Sequence, residues 1–335
     1  MHLKKIIKTK IVCLLFLVSV SSYSAWQGAG TQADPWQITS RQCLEALADS
    51  VNNSTVPSPN NWSTGKHFML MNDIIDTVRT VIGISTSGGI SFQGHFDGQN
   101  FEIVLGINSI NNKVGLFGAA WGADISNLIT KGYVVGAGIV GGVVGEANCI
   151  IINVTNNCFV TGTTRVGGIV GYGGAIISNS TNNGKIFATV SQAGGIFGSI
   201  GAGGTEITNC VNNGNVISIT NAGGISGIGL GTVENCINTA EISADSLVGG
   251  ISGHSAAYNT ILNNINYGFV KGNSSVGGIS GRISSSFSSS IISNNSNFGV
   301  VVGEENTGCI VGFKGTGNII IENNHYDKQM CGEEE

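Results

Sequence analysis

Apolar residues along this chain fall in short bursts, at alternate positions or in pairs, each closed off by glycine or asparagine. The bursts recur. "VGLFG" ends at Gly118, "VGGVVG" at Gly145, "VGGIVG" at Gly171 and "AGGIFG" at Gly198; three "GGISG" copies end at Gly227, Gly253 and Gly281, and "TGCIVG" ends at Gly312. The intervals are 27, 26, 27, 29, 26, 28 and 31 residues. A second motif trails each glycine block, as in "ISNSTNNG" and "ITNCVNNG". Its first asparagine stands at Asn127, Asn153, Asn179, Asn209, Asn235, Asn263, Asn294 and Asn323. A second asparagine follows three residues later at Asn156, Asn182, Asn212, Asn238, Asn266 and Asn297.

Glycine and β-branched density, with short apolar periodicity, argues against helix in these units. Three strands of about 5 residues and three turns of about 4 fill one unit of roughly 27 residues. That predicts an all-β fold: a parallel, right-handed β-helix or β-solenoid of about eight coils over residues 109–325, rising about 4.8 Å per coil. One coil cannot bury its apolar face, but a stack can. Equivalent residues then stand over one another. Isoleucines 169, 196, 225, 251 and 279 are expected to form an inner apolar column. The Asn127 series is expected to form a side-chain ladder, each amide donating to the next coil, at corners where asparagine tolerates left-handed backbone. The block glycines are expected to supply positive φ at corners and close approach between coils.

Upstream, Leu44, Leu47, Ala48 and Val51 fall at i, i+3, i+4 and i+7. With Thr39-x-x-Gln42 as a capping box, they predict one short amphipathic helix over Arg41–Ser50. An open solenoid end exposes core and strand edges. The helix and the Phe-rich strands of 66–105 are therefore expected to form an N-terminal cap over 26–108. A chain begun at residue 110 is expected to aggregate. Residues 326–335 read as a closing motif and acidic tail.

These motifs, in this order, resemble the GLUG-motif repeat family of bacterial secreted and surface proteins. The resemblance covers roughly residues 114–312. "GTQADPWQITSRQCLEALADSVNN", "FMLMNDIID" and "FQGHFDGQNFEI" resemble the family's lead-in, and "NHYDKQMCG" resembles its closing motif. It implies a β-helix-like solenoid with an adhesin-like or surface role, and supplies no catalytic residues. Unlike longer members, this chain is expected to lack an anchoring or sorting segment behind the repeats, or to be a truncated or minimal member.

Composition sharpens the picture. Glycine contributes 52 residues, proline 3, and charged residues only 10%. Disordered chains are charged and poor in β-branched residues, so disorder is disfavoured. Lys4, Lys5, Lys8 and Lys10 precede the apolar run "IVCLLFLVSV" and the small-residue stretch "SSYSA", which reads as a signal peptide over 1–25. Its removal takes away four lysines and no acids, moving the formal charge from −5 to −9. A nucleic-acid partner would demand a basic stripe instead. No later apolar run reaches the roughly 18 residues of a membrane span. The expected location is therefore extracellular or on the outer cell surface.

Candidate chemistry is sparse. "GAGIVG" (136–141) matches a dinucleotide fingerprint in letters only, since another repeat follows where a helix is required. His2, His67, His95, His254 and His325 lie in different segments, none at metal-ligand spacing. Asp73, Asp76 and Asp97 could form a carboxylate pair or calcium site; as strand-end and turn residues, they more simply satisfy backbone donors. Seven cysteines downstream of Cys13, an odd and scattered set, do not read as a disulfide framework. Cys210 and Cys236 share a position in adjacent coils and are expected to stack as free thiols. Sequons at 53–55, 153–155 and 179–181 read as structural.

No catalytic, cofactor or metal residues are assigned. The expected function is a non-enzymatic, adhesin-like binding or spacer protein whose ligand is a glycan or a host or matrix protein. Its contacts are expected in the loops that lengthen the period, near 201–205 and 284–290 or 302–306. The alternative is a polysaccharide-acting β-helix enzyme, a lyase or hydrolase, which would need carboxylates or basic residues on one outer strand.

Overall fold

A computed structural model describes residues 26–55, 60–84, 90–201, 204–285 and 289–331. The signal-like segment and the acidic tail lie outside the described residues. The chain is a parallel β-solenoid. One wall, the first sheet, stacks eleven rungs in chain order, from Trp36–Ile38 through His67–Leu70, His95–Asp97 and Phe117–Ser126 to Val311–Lys314. Every strand-to-strand pairing is parallel, as coiling in one sense requires. Shorter strands form the remaining walls. They include two-residue steps at Thr181–Asn182, Val211–Asn212, Ile237–Asn238 and Ile265–Asn266. Pairing runs unbroken across residues 108–109, from Glu102–Ser109 onto Ile129–Gly136, so the Phe-rich segment contributes coils of the same stack.

Isoleucines 169, 196, 225, 251 and 279 are each 0% exposed and form the expected inner column. The asparagine motif divides its labour differently from expectation. All eight residues of the Asn127 series sit in left-handed backbone, with φ between 50° and 56°. Their side chains form a ladder only in part, through Asn153 Nδ2 to Asn127 Oδ1 at 3.1 Å. The continuous ladder belongs to the second asparagine. Asn156, Asn182, Asn212, Asn238 and Asn266 each donate to the next coil's Oδ1 at 2.8 Å, ending on Asn297. Each also closes on its own corner: Asn182 donates to the Gly184 carbonyl at 2.9 Å, and Gly184 N–H returns to Asn182 Oδ1. Both amide hydrogens and both acceptor sites are thereby used, the condition for burying an amide at 0% exposure.

This ladder also explains the glycine blocks. None of the glycines in "GGISG" has positive φ, so the expected turn conformation is not their role. A Cβ on Gly250 would instead collide with the Gly278 carbonyl oxygen and the Asn266 side chain of the next coil. Gly224 meets Gly250 and Asn238 in the same way. Glycine block and asparagine motif are two sides of one contact. The corner just before six of the eight blocks carries the positive φ, at Arg165, Gln192, Asn221, Leu247, Ser275 and Asn306.

The helix runs Arg41–Asn52, two residues longer than expected. Ser40, not Thr39, is its N-cap, accepting from Cys43 N–H at 3.4 Å. Leu44, Leu47, Ala48 and Val51 are buried as the periodicity predicts. Asn52 ties the helix end to the coils, donating to the Val81 carbonyl and accepting from Gly83 and Ile84. Beside it Trp26, Trp36, Trp62 and Phe68 cluster, with Lys66 Nζ 3.7 Å from the Trp62 ring. Among the described residues, no helix is long and apolar enough to cross a membrane.

One disulfide, Cys309–Cys331, ties the final 3₁₀ turn to the last coil, a pairing the cysteine count did not suggest. Cys210 and Cys236 are free, buried and stacked, with Cys210 N–H directed at Cys236 Sγ at 3.4 Å.

Candidate functional site

The uneven period has one main location. At its regular length the first-sheet strand is nine residues long, as in Val144–Ile152, Val170–Ser178 and Ser226–Glu234. It lengthens to Phe117–Ser126 and Ser252–Leu262, and is split into Phe197–Ile200 and Glu206–Thr208, and into Ser280–Ile283 and Ser290–Ser293. Extra residues enter at one bend of that sheet, where register jumps between Asn148 and Ile150 and between Gly229 and Gly231. The 29-residue interval is the 201–205 insertion, and the 31-residue interval is the insertion at 284–289. Residues 302–306 carry no insertion: Val301–Val302 and Glu305–Gly308 are spaced as are Val270–Lys271 and Ser274–Gly277. A smaller irregularity lies on another wall, between Gly162 and Thr164.

At this bend, between the lengthened coil at Trp121 and the insertion at 201–205, two coils with nine-residue strands leave a groove of about 520 Å³. Its floor is small: Ala123, Ala147, Cys149, Gly173 and Ala175. Small side chains at a bend open a notch that Ile or Val would fill. The walls carry the chemistry. Trp121 is 47% exposed. Asn148 pairs with it in register, one coil on. Tyr172 stands on the opposite half, held between the Arg165 guanidinium, 4.2 Å from its ring centre, and Gly201, where a Cβ would strike the ring. Glu146 lies beside Tyr172 in register and is ion-paired to Lys113.

Asp124 closes the other end and is shared with a neighbouring cavity of about 340 Å³. His67, His95 and Asp124 occupy one register position in three successive coils. The two imidazoles stack at 4.2 Å, and His95 Nδ1 lies 2.7 Å from Asp124 Oδ2. Burial, then the neighbouring His95, lowers the pKa of His67, with Asp124 acting in opposition. Spacing in the sequence separates these residues by 28 and 29 positions. A metal-ligand search reads such gaps as unrelated, whereas the coil period makes them neighbours. Among the described residues, no group of three or more His, Cys, Asp or Glu is placed to hold a metal ion.

Cys149 on the groove floor is a poor nucleophile. Burial, reinforced by Asp124, pushes its pKa up to about 12, which keeps the thiol protonated at neutral pH.

The acids singled out in the sequence sit elsewhere. Asp73 Oδ1 accepts from Glu102 N–H at 2.8 Å. Asp97 Oδ1 accepts from Gln99 N–H at 2.9 Å and from Asn127 Nδ2 at 3.0 Å. Both satisfy strand-end and turn donors. Asp76 is exposed on the strand Ile74–Val78. In "GAGIVG", strands Ile139–Gly141 and Val144–Ile152 stand where a nucleotide site needs a helix. Asn153 and Asn179 of the sequons hold left-handed corners.

No protein family matches the chain by sequence, and no curated protein does. Among solved structures it is similar to a Bacteroides ovatus protein described as a "putative immunoglobulin A1 protease". The TM-score is 0.47 at 18% identity, covering 91% of this chain and 88% of that one.

Proposed function

We propose that this protein is an adhesin-like binding solenoid, exported to the cell surface or beyond, of the kind its GLUG-like repeats suggest. It acts by holding a ligand rather than converting it. The observation that carries this reading is the bend of the first sheet. Nearly all variation in repeat length collects there, and the groove with its exposed aromatic lies between two such variations. Solenoids characteristically place insertions on one face, often the binding face. The basic and apolar opening of the chain supports export.

A second reading has a specific observation behind it. Asp124 and Glu146 line one groove, which a polysaccharide-acting enzyme would also require. Each is already engaged, Asp124 by His95 and Glu146 by Lys113, which favours a positioning over a proton-transfer role. The test is a screen of the purified protein against immobilised glycans and matrix proteins, with product analysis on the same glycans. Retention without cleavage is expected. Release of shortened or unsaturated products would replace the binding reading with the enzymatic one.

A further inference from the structure

We infer that the groove takes a short, uncharged oligosaccharide laid against Trp121. This rests on reading the groove as the binding surface. Three features of the site select that ligand class. The first is an accessible aromatic face with polar groups beside it. A pyranose presents one face of weakly positive C–H groups, which complements the negative π face of indole, and a rim of hydroxyls that need partners. Trp121 is 47% exposed and, among the described residues, makes no stacking contact with another aromatic ring, unlike Trp26, Trp36 and Trp62. Asn148, Glu146, Asp124 and the Tyr172 hydroxyl supply planar or directional acceptors and donors around the same notch. The floor is glycine, alanine and Cys149, with Ile150 and Ile176 the larger aliphatic side chains of the lining, so the directional contacts come from the walls.

The second feature is charge. Glu146 and Asp124 are the charged residues that line the groove, while the Arg165 guanidinium is turned onto the Tyr172 ring, and the chain as a whole is net acidic. Uronate, sialylated and sulfated glycans would meet like charge at close range, where repulsion is strongest. Lys113 lies against Glu146 and is committed to it.

The third is length. The lining spans four successive coils, from Trp121 through Asn148 and Tyr172 to Gly201. Three coil steps of about 4.8 Å give roughly 14 Å along the solenoid axis, more than a single sugar ring and less than a long polymer segment. Tyr172, clamped between Arg165 and Gly201, is a rigid stop rather than a mobile side chain.

The experiment is isothermal titration of the purified protein with cellotetraose and chitotetraose as uncharged probes, tetragalacturonate as the anionic probe and gelatin as the protein probe. A glycan array widens the saccharide set. Uncharged oligosaccharides are expected to bind. Trp121→Ala is expected to weaken them by about tenfold or more, the loss of one aromatic anchor. Trp121→Phe should restore most of the affinity, while the unfolding midpoint stays unchanged. Anionic glycans that bind as well as uncharged ones would overturn the inference. Gelatin binding that is lost in Trp121→Ala, with no saccharide bound, would overturn the ligand class while leaving the groove as the binding surface. Binding of any probe that Trp121→Ala leaves intact would overturn both.

Discussion

Two corners of the same coil behave in opposite ways. At the asparagine corner, six of the eight repeats do the same thing: a left-handed first asparagine, a buried second one, and a glycine of the neighbouring block packed on its amide. At the bend of the first sheet, successive coils differ in length and chemistry. Aligned with Glu146 stand Tyr172, Ser199, Ile228, His254, Arg282 and Phe313, no two alike. Repetition gives each buried group an identical partner above and below, so it suits stability. A binding surface needs unlike groups side by side, which a strict repeat cannot offer. The groove arises where the repeat relaxes.

The comparison breaks most sharply at the regular corner. Gly250→Ala forces a methyl into the Gly278 carbonyl and the Asn266 amide, and should cost roughly 4 kcal/mol or more. Denaturant unfolding would measure it, and a loss below about 1 kcal/mol would mean that the coils separate easily there. Asn212→Ala comes next. It strands the Asn182 amide, the Asn238 carbonyl oxygen and the Gly214 carbonyl in a buried site, for an expected loss of about 3 kcal/mol in the same assay.

On the irregular side, His254 is mostly buried, and its Nε2 lies 3.0 Å from Ser284 Oγ. Burial, then the Arg282 charge, lowers its pKa to about 4. The unfolded chain, with its ordinary histidine, takes up that proton first. The contribution of neutral His254 is therefore complete above about pH 6.5 and is lost as pH falls toward 4. Wild-type protein should lose on the order of 2 kcal/mol across that window relative to His254→Gln. Parallel pH profiles of the two proteins would count against this. The smallest effect is a gain. Leu247 holds a left-handed corner at φ 58° with a bulky side chain. Leu247→Gly should stabilise by about 1 kcal/mol, read as a raised unfolding midpoint.

The solenoid was legible because its determinants are local and repeated. Gly118 to Gly312 and Asn127 to Asn323 mark one coil after another, and the helix at 41–52 announces itself by spacing alone. The exchange of roles between the two asparagines was not legible. Both are amides at one period, and only the stacked backbone shows which points inward. The candidate site was partly legible. The interval lengths pointed to 201–205 and to 284–290 or 302–306 as places of variation, of which 302–306 carries none, and not to the groove beside 201–205. Trp121, Asn148, Glu146, Tyr172 and Asp124 share no motif.

The sequence by itself determined the coil, its period, the buried column and the helix, because each depends on residues a few positions apart or on a repeated letter. Tertiary structure alone decided which asparagine became the ladder, why glycine must face it, that Cys309 meets Cys331, and that His67, His95 and Asp124 form one row. Those outcomes depend on the register between coils, which brings together residues far apart in the chain, and register is set by the whole stack at once.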